Sequence, residues 1–548
     1  MKIKSLVVGM MACAALVACS NEDLVEGGNG DGNQTGGAKA YIGIKIADPT
    51  SGISRAATDG GFDNGSSDEN TINNSLFLFY KDGVYAGEGV YTGALAVEGS
   101  QTNGTSIEAT TTAVVVLNGK QGEKDYPNQV VAFLNLPEKA QKEVKNKSLE
   151  EAMKIISDIN DIPSYATNKN FIMTNSVYLN GNDIQVASPV TASNFVQSQA
   201  AALENPITIY VERVAAKVKM TESRNLQTPN ITNITYNGNS GYQLKLTVEG
   251  WGINGVNKNT YLLKNLDLTG NFGNWLWNDA NNSRSYWAKD ANYNDGTYPT
   301  SFDNYNSETS SLEYRSWNDV VDNDKKNQYC PENTVNAALS GNINAITYMI
   351  IAGRYSLVDE KGIVTEVGDN NKLYQYIGQY YTENKLLNLL ADQANIYTYK
   401  KEGDTETWNK VKPEEYQLVR ASLYDAKLEL KATQGDFYAG KNLNNKMNVT
   451  DINEKLVKDL NVFTTFAGGK TFFYVNIEHL NNNDTEDGHI GIIRNHTYNL
   501  TLNSIKNIGN GVFNPDEDII ITDKDKEFYV GATLKILSWK VVNQGVDL

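Results

Sequence analysis

The sequence predicts a mainly β protein: two β-sandwich domains with a few short helices. Three observations carry that expectation. Short runs rich in Ile, Val, Tyr, Phe and Thr, many alternating with period two, recur along the chain between Gly-, Asn- and Asp-rich breaks. Tyr outnumbers Phe, 31 to 15, amid abundant Asn and Gly, which suits strands and turns better than helical bundles. The 548 residues, 40% apolar and 10% aromatic, can fill real cores, and a prior of ~100–200 residues per domain allows two to four domains.

In chain order, Lys2 and Lys4 precede the apolar run from Leu6 to Val17, and Leu16-Val17-Ala18-Cys19 follows. Residues 1–19 therefore read as a secretory signal, too short to span a bilayer. Small residues before a cysteine resemble a bacterial lipobox in which Cys19 is lipidated and becomes the new amino terminus, an anchor and not a span. Ser20 and Asn21 follow where an aspartate would retain such a lipoprotein, so the outer membrane is the expected destination. Residues 21–37 are Gly/Asn/Asp-rich and read as a tether.

A strand is then expected over Ala40–Ala47, with Ile42, Ile44 and Ile46 on one face. Beyond it the chain turns polar and Gly-rich up to Glu69, and Arg55, before Ala56, is the only arginine ahead of Arg213. A solitary arginine in a polar loop is a natural cut site for a trypsin-like protease, although it is equally read as an ordinary loop residue. The first domain is expected over residues 56–215. Its strands are Thr71–Tyr80, Ala113–Leu117, Gln129–Leu136, Phe171–Leu179 and Ile207–Met220, and a helix Ser148–Ile159 has Ser148 as N-cap and Glu151 three residues on. The second domain, 216–548, has expected strands Gly241–Val248, Ala345–Ala352, Leu423–Leu430, Lys470–Ile477 and His496–Ile505, with a helix Glu383–Gln393.

The segment Ala532–Leu548 closes the chain as one extended apolar run. Leu534 and Ile536 share one phase and Leu537, Trp539 and Val541 the other, as in a strand bulged at Ile536–Leu537. Such a terminal strand pairs with its own sheet or is lent to a neighbour's.

Several strings together resemble one family, the major fimbrial subunits of Bacteroidetes (type V pilins, or fimbrillins), the Mfa-type short-fimbria subunit in particular. They are the lipobox at Cys19, Ser-Arg-Ala at Arg55, VERVAAKV from Val211, Gly250-Trp251-Gly252, Tyr261-Leu262 and Arg284-Ser285-Tyr286-Trp287. Tyr329 with Glu332-Asn333-Thr334, the run Ile492–Gly509 and the closing ILSWKVVNQGVDL complete the set. The resemblance implies transthyretin-like, Greek-key sandwiches, an amino-terminal leader strand and a carboxy-terminal donor strand. It implies export, lipidation at Cys19, and cleavage between Arg55 and Ala56 by an arginine-specific or trypsin-like protease, removing residues 20–55. The donor strand, residues 532–548, of an identical subunit would then replace the leader, building a head-to-tail filament on the cell surface. Accessory anchor and tip proteins and a host or bacterial surface receptor are the further partners implied. No cofactor and no enzymatic activity are expected.

Other constellations carry less. A net charge of −17 argues against nucleic acid as a partner. Gly468-Gly469-Lys470-Thr471 looks like the end of a phosphate-binding loop, but Thr464 stands where the earlier glycine belongs. His479 and His489 flank an acidic loop without structural zinc spacing. The runs Asp516–Asp518 and Asp523, Asp525, Glu527 lack the glycine turn of a calcium loop, so no metal site is expected. With Cys13 and Cys19 in the signal segment, Cys330 is left without a disulfide partner, and no basic neighbour activates it as a nucleophile. The Trp/Tyr/Asn-rich stretch Trp275–Trp287 supports the rival reading, a surface glycan-binding lipoprotein; ordinary packing of those rings is the plainer account.

Overall fold

The computed structural model describes residues 40–49, 66–95, 107–117, 126–162, 169–176, 178–180, 183–265, 288–293, 296–300, 302–322, 327–335, 339, 342–477, 491–521, 530–537 and 542–545. The chain is mainly β. Its first sheet runs in the order Val84–Leu95, Ile72–Lys81, Gln129–Leu134, Met173–Asn175, Ile207–Arg213, Ala40–Pro49, Ile107–Leu117. The pair 72–81 and 84–95 is a hairpin closed by Asp82 and Gly83, both at positive φ (50° and 80°), a two-residue turn that matches strand twist. Phe77, Phe79, Val130, Ala132 and Leu134 form one core, while their alternates Leu76, Leu78, Tyr80, Val131 and Phe133 form another on the opposite face. Period-two strands buried on both faces produce this split.

The expected strand Ile207–Met220 is two strands. Ile207–Arg213 belongs to the first sheet, and Ala216–Gln227 pairs with Thr497–Ile505 and Asn327–Cys330 in a second. The chain passes between sheets at Val214–Ala215, where both side chains are buried. The expected helix Ser148–Ile159 is also corrected. Ser148 caps as expected, its hydroxyl accepting from Glu151 N (3.3 Å) while the Glu151 carboxylate accepts from Ser148 N (2.9 Å). The helix spans only Leu149–Met153, because Ile156–Asp158 pairs with Asn259–Tyr261 instead. A β-branched Ile155-Ile156 pair loses little by leaving a helix, and a cross-strand partner decides the matter.

The second sheet has the order Asn327–Cys330, Ala216–Gln227, Thr497–Ile505, Val530–Leu537, Val542–Gly545. It faces a larger sheet that includes Ile231–Tyr236, Asn239–Asn254, Tyr348–Val358 and Lys470–Asn476. Val218, Leu246, Ile351, Phe473, Leu500 and Leu502 fill the space between the two, which makes a sandwich. Tyr348, Ile350 and Ala352 point the other way, onto Trp317, Val320 and Ile520. Helices Glu383–Ala394, capped by left-handed Asn395, and Val449–Leu460 bury Leu386, Leu390, Ile452 and Leu456 against Tyr416, Leu428 and Phe463.

Candidate functional site

The leading strand Ala40–Pro49 lies inside the first sheet. It runs parallel to Ile207–Arg213, with Ile44 opposite Ile207 and Ile46 opposite Ile209. It runs antiparallel to Ile107–Leu117, with Ile42 opposite Val115, Ile44 opposite Ala113 and Ile46 opposite Thr111. Ahead of the parallel ladder, Tyr41 and Val196 exchange two backbone hydrogen bonds, each 2.8 Å. Ile42 and Ile44 have no exposed surface, packed among Phe77, Phe79, Val115, Phe195 and Ile209. Of Ile46 the structure gives the strand position only. A segment from far upstream thus fills a slot bounded on both edges by later parts of the chain. Without it, Ile107–Leu117 and Ile207–Arg213 would each present a row of unpaired backbone groups.

The slot also has a roof at one level. The short helix Gln199–Glu204 crosses over Gly43. A Cβ there would overlap the Ala202 carbonyl oxygen, come within 2.7 Å of that carbonyl carbon and within 3.2 Å of Pro206 Cα. All three atoms are backbone, so no rotamer change makes room.

Downstream of the slot, Ser66–Asn70 is fastened to the passage between sheets. Glu69, 1% exposed, accepts a charged hydrogen bond from Lys217 Nζ at 2.7 Å, and Tyr329 Oη donates to it as well. Arg213 Nε donates to Glu69 O at 3.1 Å and its guanidinium to the Asn70 side chain. Burial pushes the Glu69 carboxyl up, but the Lys217 charge and the hydrogen bonds from Lys217, Tyr329 and Ser66 N outweigh it and hold the group below the usual carboxylate range. Two more buried pairs sit nearby, Lys264–Glu212 at 3.0 Å and Arg494–Glu332 at 2.5 Å; Arg494 also donates to Leu262 O and Tyr261 O. Four of the strings singled out above contribute to this network: VERVAAKV brings Glu212, Arg213 and Lys217, the run Ile492–Gly509 brings Arg494, and Tyr329 with Glu332 and Tyr261-Leu262 bring their partners.

The tail lies elsewhere. Val530–Leu537 pairs antiparallel with Thr497–Ile505, Leu534 opposite Leu500 and Ile536 opposite Tyr498. Val542–Gly545 then folds back, Ile536 opposite Val542 and Thr533 opposite Gly545. The single extended run expected over 532–548 is therefore a hairpin at a sheet edge. Pairing continues unshifted through Leu537. The irregularity in this ladder falls between Leu502 and Ser504, opposite Ala532 and Gly531, and not at Ile536–Leu537. Trp539 and Val541 lie outside the described residues, as do Cys19, Arg55, Ala56, His479, His489 and Trp275–Trp287.

The other candidates are structural. Cys330 is fully buried, which pushes its thiol up to about 12. Gly468 and Gly469, at φ 59° and 75°, make a turn, and Lys470 Nζ meets Asp369 at 3.0 Å over the Trp317 ring. His496 is buried, with Nδ1 2.8 Å from Arg494 O. Among the described residues no group of His, Cys, Asp and Glu is placed to hold a metal, and no helix is long and apolar enough to cross a membrane.

Residues 464–545 match the family model described as Major fimbrial subunit protein type IV, Fimbrillin, C-terminal. That segment is similar to the C-terminal region of fimbrillins. It contains the Thr497–Ile505 ladder and both described strands of the tail. Solved structures of low overall similarity span most of the chain. One is a fimbrilin (FimA) from Porphyromonas gingivalis W83, 14% identical, covering 91% of this chain and 99% of that one, with a TM-score of 0.38. A provisionally assigned cell adhesion protein from Parabacteroides distasonis ATCC 8503 is 12% identical over 93% and 99% of the two chains, with a TM-score of 0.36. A second such protein, from Bacteroides eggerthii DSM 20697, is 13% identical over 94% and 100%, with a TM-score of 0.33. No curated protein matches.

Proposed function

We propose that this chain is a structural subunit of a cell-surface fimbria that polymerises by protease-triggered strand exchange. The observation that carries the reading is the leading strand, which fills a two-sided slot yet comes from the chain ahead of Arg55. The precursor is exported, lipidated at Cys19 and carried to the outer membrane. Cleavage between Arg55 and Ala56 frees residues 20–55, while Ser66–Asn70 stays fastened by Glu69 and so holds the new amino terminus to the body. The apolar carboxy-terminal tail of an identical subunit enters the slot.

The physics favours this order of events. A bare two-sided slot is a template for strand addition, and the entering strand restores both ladders while its alternate side chains fill the core. The contact joins different surfaces on its two partners, so repetition gives an open filament unless the rotation closes. Before cleavage the leader competes at the high effective concentration of a tethered segment; afterwards it does not. The tail's starting place suits release, because among the described strands the hairpin is hydrogen-bonded to the body through one ladder, to Thr497–Ile505. The proposed domains are 56–215 and 216–548, and the change of sheet at Val214–Ala215 supports that boundary. Anchor and tip proteins and a host or bacterial receptor complete the proposed set of partners, in adhesion and colonisation.

The test is Arg55→Ala. The variant is expected to fold, keep its leader and form no filaments when treated with an arginine-specific protease, while the parent chain does form them. Filaments from the variant, imaged by electron microscopy, would contradict the scheme.

A further inference from the structure

We infer that the tail of the neighbouring copy enters the slot in one register, with Gly531 at the level of Gly43, Val530 at the level of Ile42 and Leu534 at the level of Ile46. The inference rests on the strand-exchange reading above and specifies what that reading leaves open.

The roof over Gly43 sets the register. Backbone atoms of Ala202 and Pro206 occupy the space of a Cβ at that level, so an occupant running in the leader's direction needs glycine there unless the helix Gln199–Glu204 moves. Residues 530–548 contain two glycines, Gly531 and Gly545. Setting Gly545 at the roof brings Gln544 to the level of Ile42, which is fully buried among Phe77, Phe79 and Val115. An amide buried there without partners loses its hydrogen bonds to water and gains none in return. Setting Gly531 at the roof puts Val530, Ala532 and Leu534 at the levels of Ile42, Ile44 and Ile46, all apolar. The local sequences agree as well: Tyr529-Val530-Gly531 lies along Tyr41-Ile42-Gly43. Ala532 is smaller than Ile44 and Phe528 larger than Ala40, so volume lost at one level is regained two levels away, the kind of exchange that cores tolerate. The run Leu537, Trp539, Val541 is apolar but would bring Ser538, which has a Cβ, under the roof.

Each register predicts a different neighbour for Thr112, which opposes Lys45 in the leader ladder. It is Thr533 for the proposed register, Asp547 for the Gly545 register and Lys540 for the Ser538 register. Directly opposed residues of an antiparallel pair lie about 4.5–5.5 Å apart at Cα, within disulfide reach, whereas a shift of two residues adds roughly 6–7 Å. Full-length chains carrying Thr112→Cys with Thr533→Cys, Asp547→Cys or Lys540→Cys would be cleaved with an arginine-specific protease, oxidised, and examined on non-reducing gels and by electron microscopy. A reducible ladder with Thr533→Cys, and its loss in the other two, is expected. A ladder confined to Asp547→Cys or Lys540→Cys overturns the register and leaves strand exchange standing. Filaments without a ladder from any pair overturn strand exchange into this slot and the register with it. As a second arm, Gly531→Val should lose filaments with little change in monomer melting temperature, while Gly545→Val keeps them; the reverse pattern also overturns the register.

Discussion

Glu69 is a carboxylate almost without water, 2.7 Å from Lys217 Nζ. Removing one partner of such a pair leaves the other buried and unmatched, so Lys217→Met is expected to lower stability by about 3–5 kcal/mol near neutral pH, read from urea unfolding. The sign with pH follows from the depressed carboxyl. Its stabilising contribution is complete above the ordinary value of 4.5 and is lost as pH falls through the lower value it has in the folded chain. The deficit of Lys217→Met should therefore shrink as acid is added; an unchanged deficit at low pH would show that lost packing, not charge, is responsible. Cys330 gives a second test at this scale. Fully buried, with its thiol pushed up to about 12, it should stay unreactive toward a thiol reagent in native protein starting at Ala56 and react once urea unfolds the chain. Rapid labelling of the native form would mean that the sheet around it opens readily.

Strand by strand, the slot makes its own prediction. Gly43→Val drives a branched side chain into backbone of the overlying helix, and overpacking of that kind costs about 1–3 kcal/mol. The uncleaved variant should unfold at lower urea, by fluorescence, with its first sheet affected before the second. No change would mean that the helix gives way freely, which would also weaken the register argued above. Much at this level is legible in sequence. Thr71–Tyr80, Lys470–Ile477 and His496–Ile505 are strands to within a residue or two, because their alternation and β-branched content need no partner to be recognised. Val84–Leu95 has a local signal too, Asp82-Gly83 after a strand, although it is not among the strands read from composition and alternation. The helix Val449–Leu460 is another element absent from that reading, its Ile452, Leu456 and Leu460 stripe diluted by charged neighbours.

For the whole molecule, slot and tail sit in different sheets, and their loss should be felt separately. Deleting residues 530–548 removes the last two described strands of the Thr497–Ile505 sheet and none of the strands that form the slot. Urea unfolding followed by hydrogen exchange should then show weaker protection over 497–505, near-parental protection over 107–117 and 207–213, and no filaments after protease treatment. Long fibres from the truncated chain would refute the donor role. The buried pairs Lys264–Glu212 and Arg494–Glu332, with Arg494 reaching Tyr261 O and Leu262 O, tie the strand ending at Arg213 to segments that pack with the second sheet. Charges lodged there resist sliding, since any shift leaves an ion unpaired away from water.

Sequence alone determined the local facts: β character, the capping of Leu149–Met153 by Ser148, an apolar Ile42–Ile44 face, and a solitary Arg55 beyond it. Each depends on neighbours within a few residues, where spacing and side-chain type suffice. Only the tertiary structure decided that Ile42 lies beside Val115 and Ile44 beside Ile207, that 207–220 divides between sheets, and that the tail turns back on itself. Those outcomes depend on which strand supplies the missing hydrogen bonds, and neither the Ile42–Val115 ladder nor the more distant Ile44–Ile207 one leaves a mark in the periodicity of its partners.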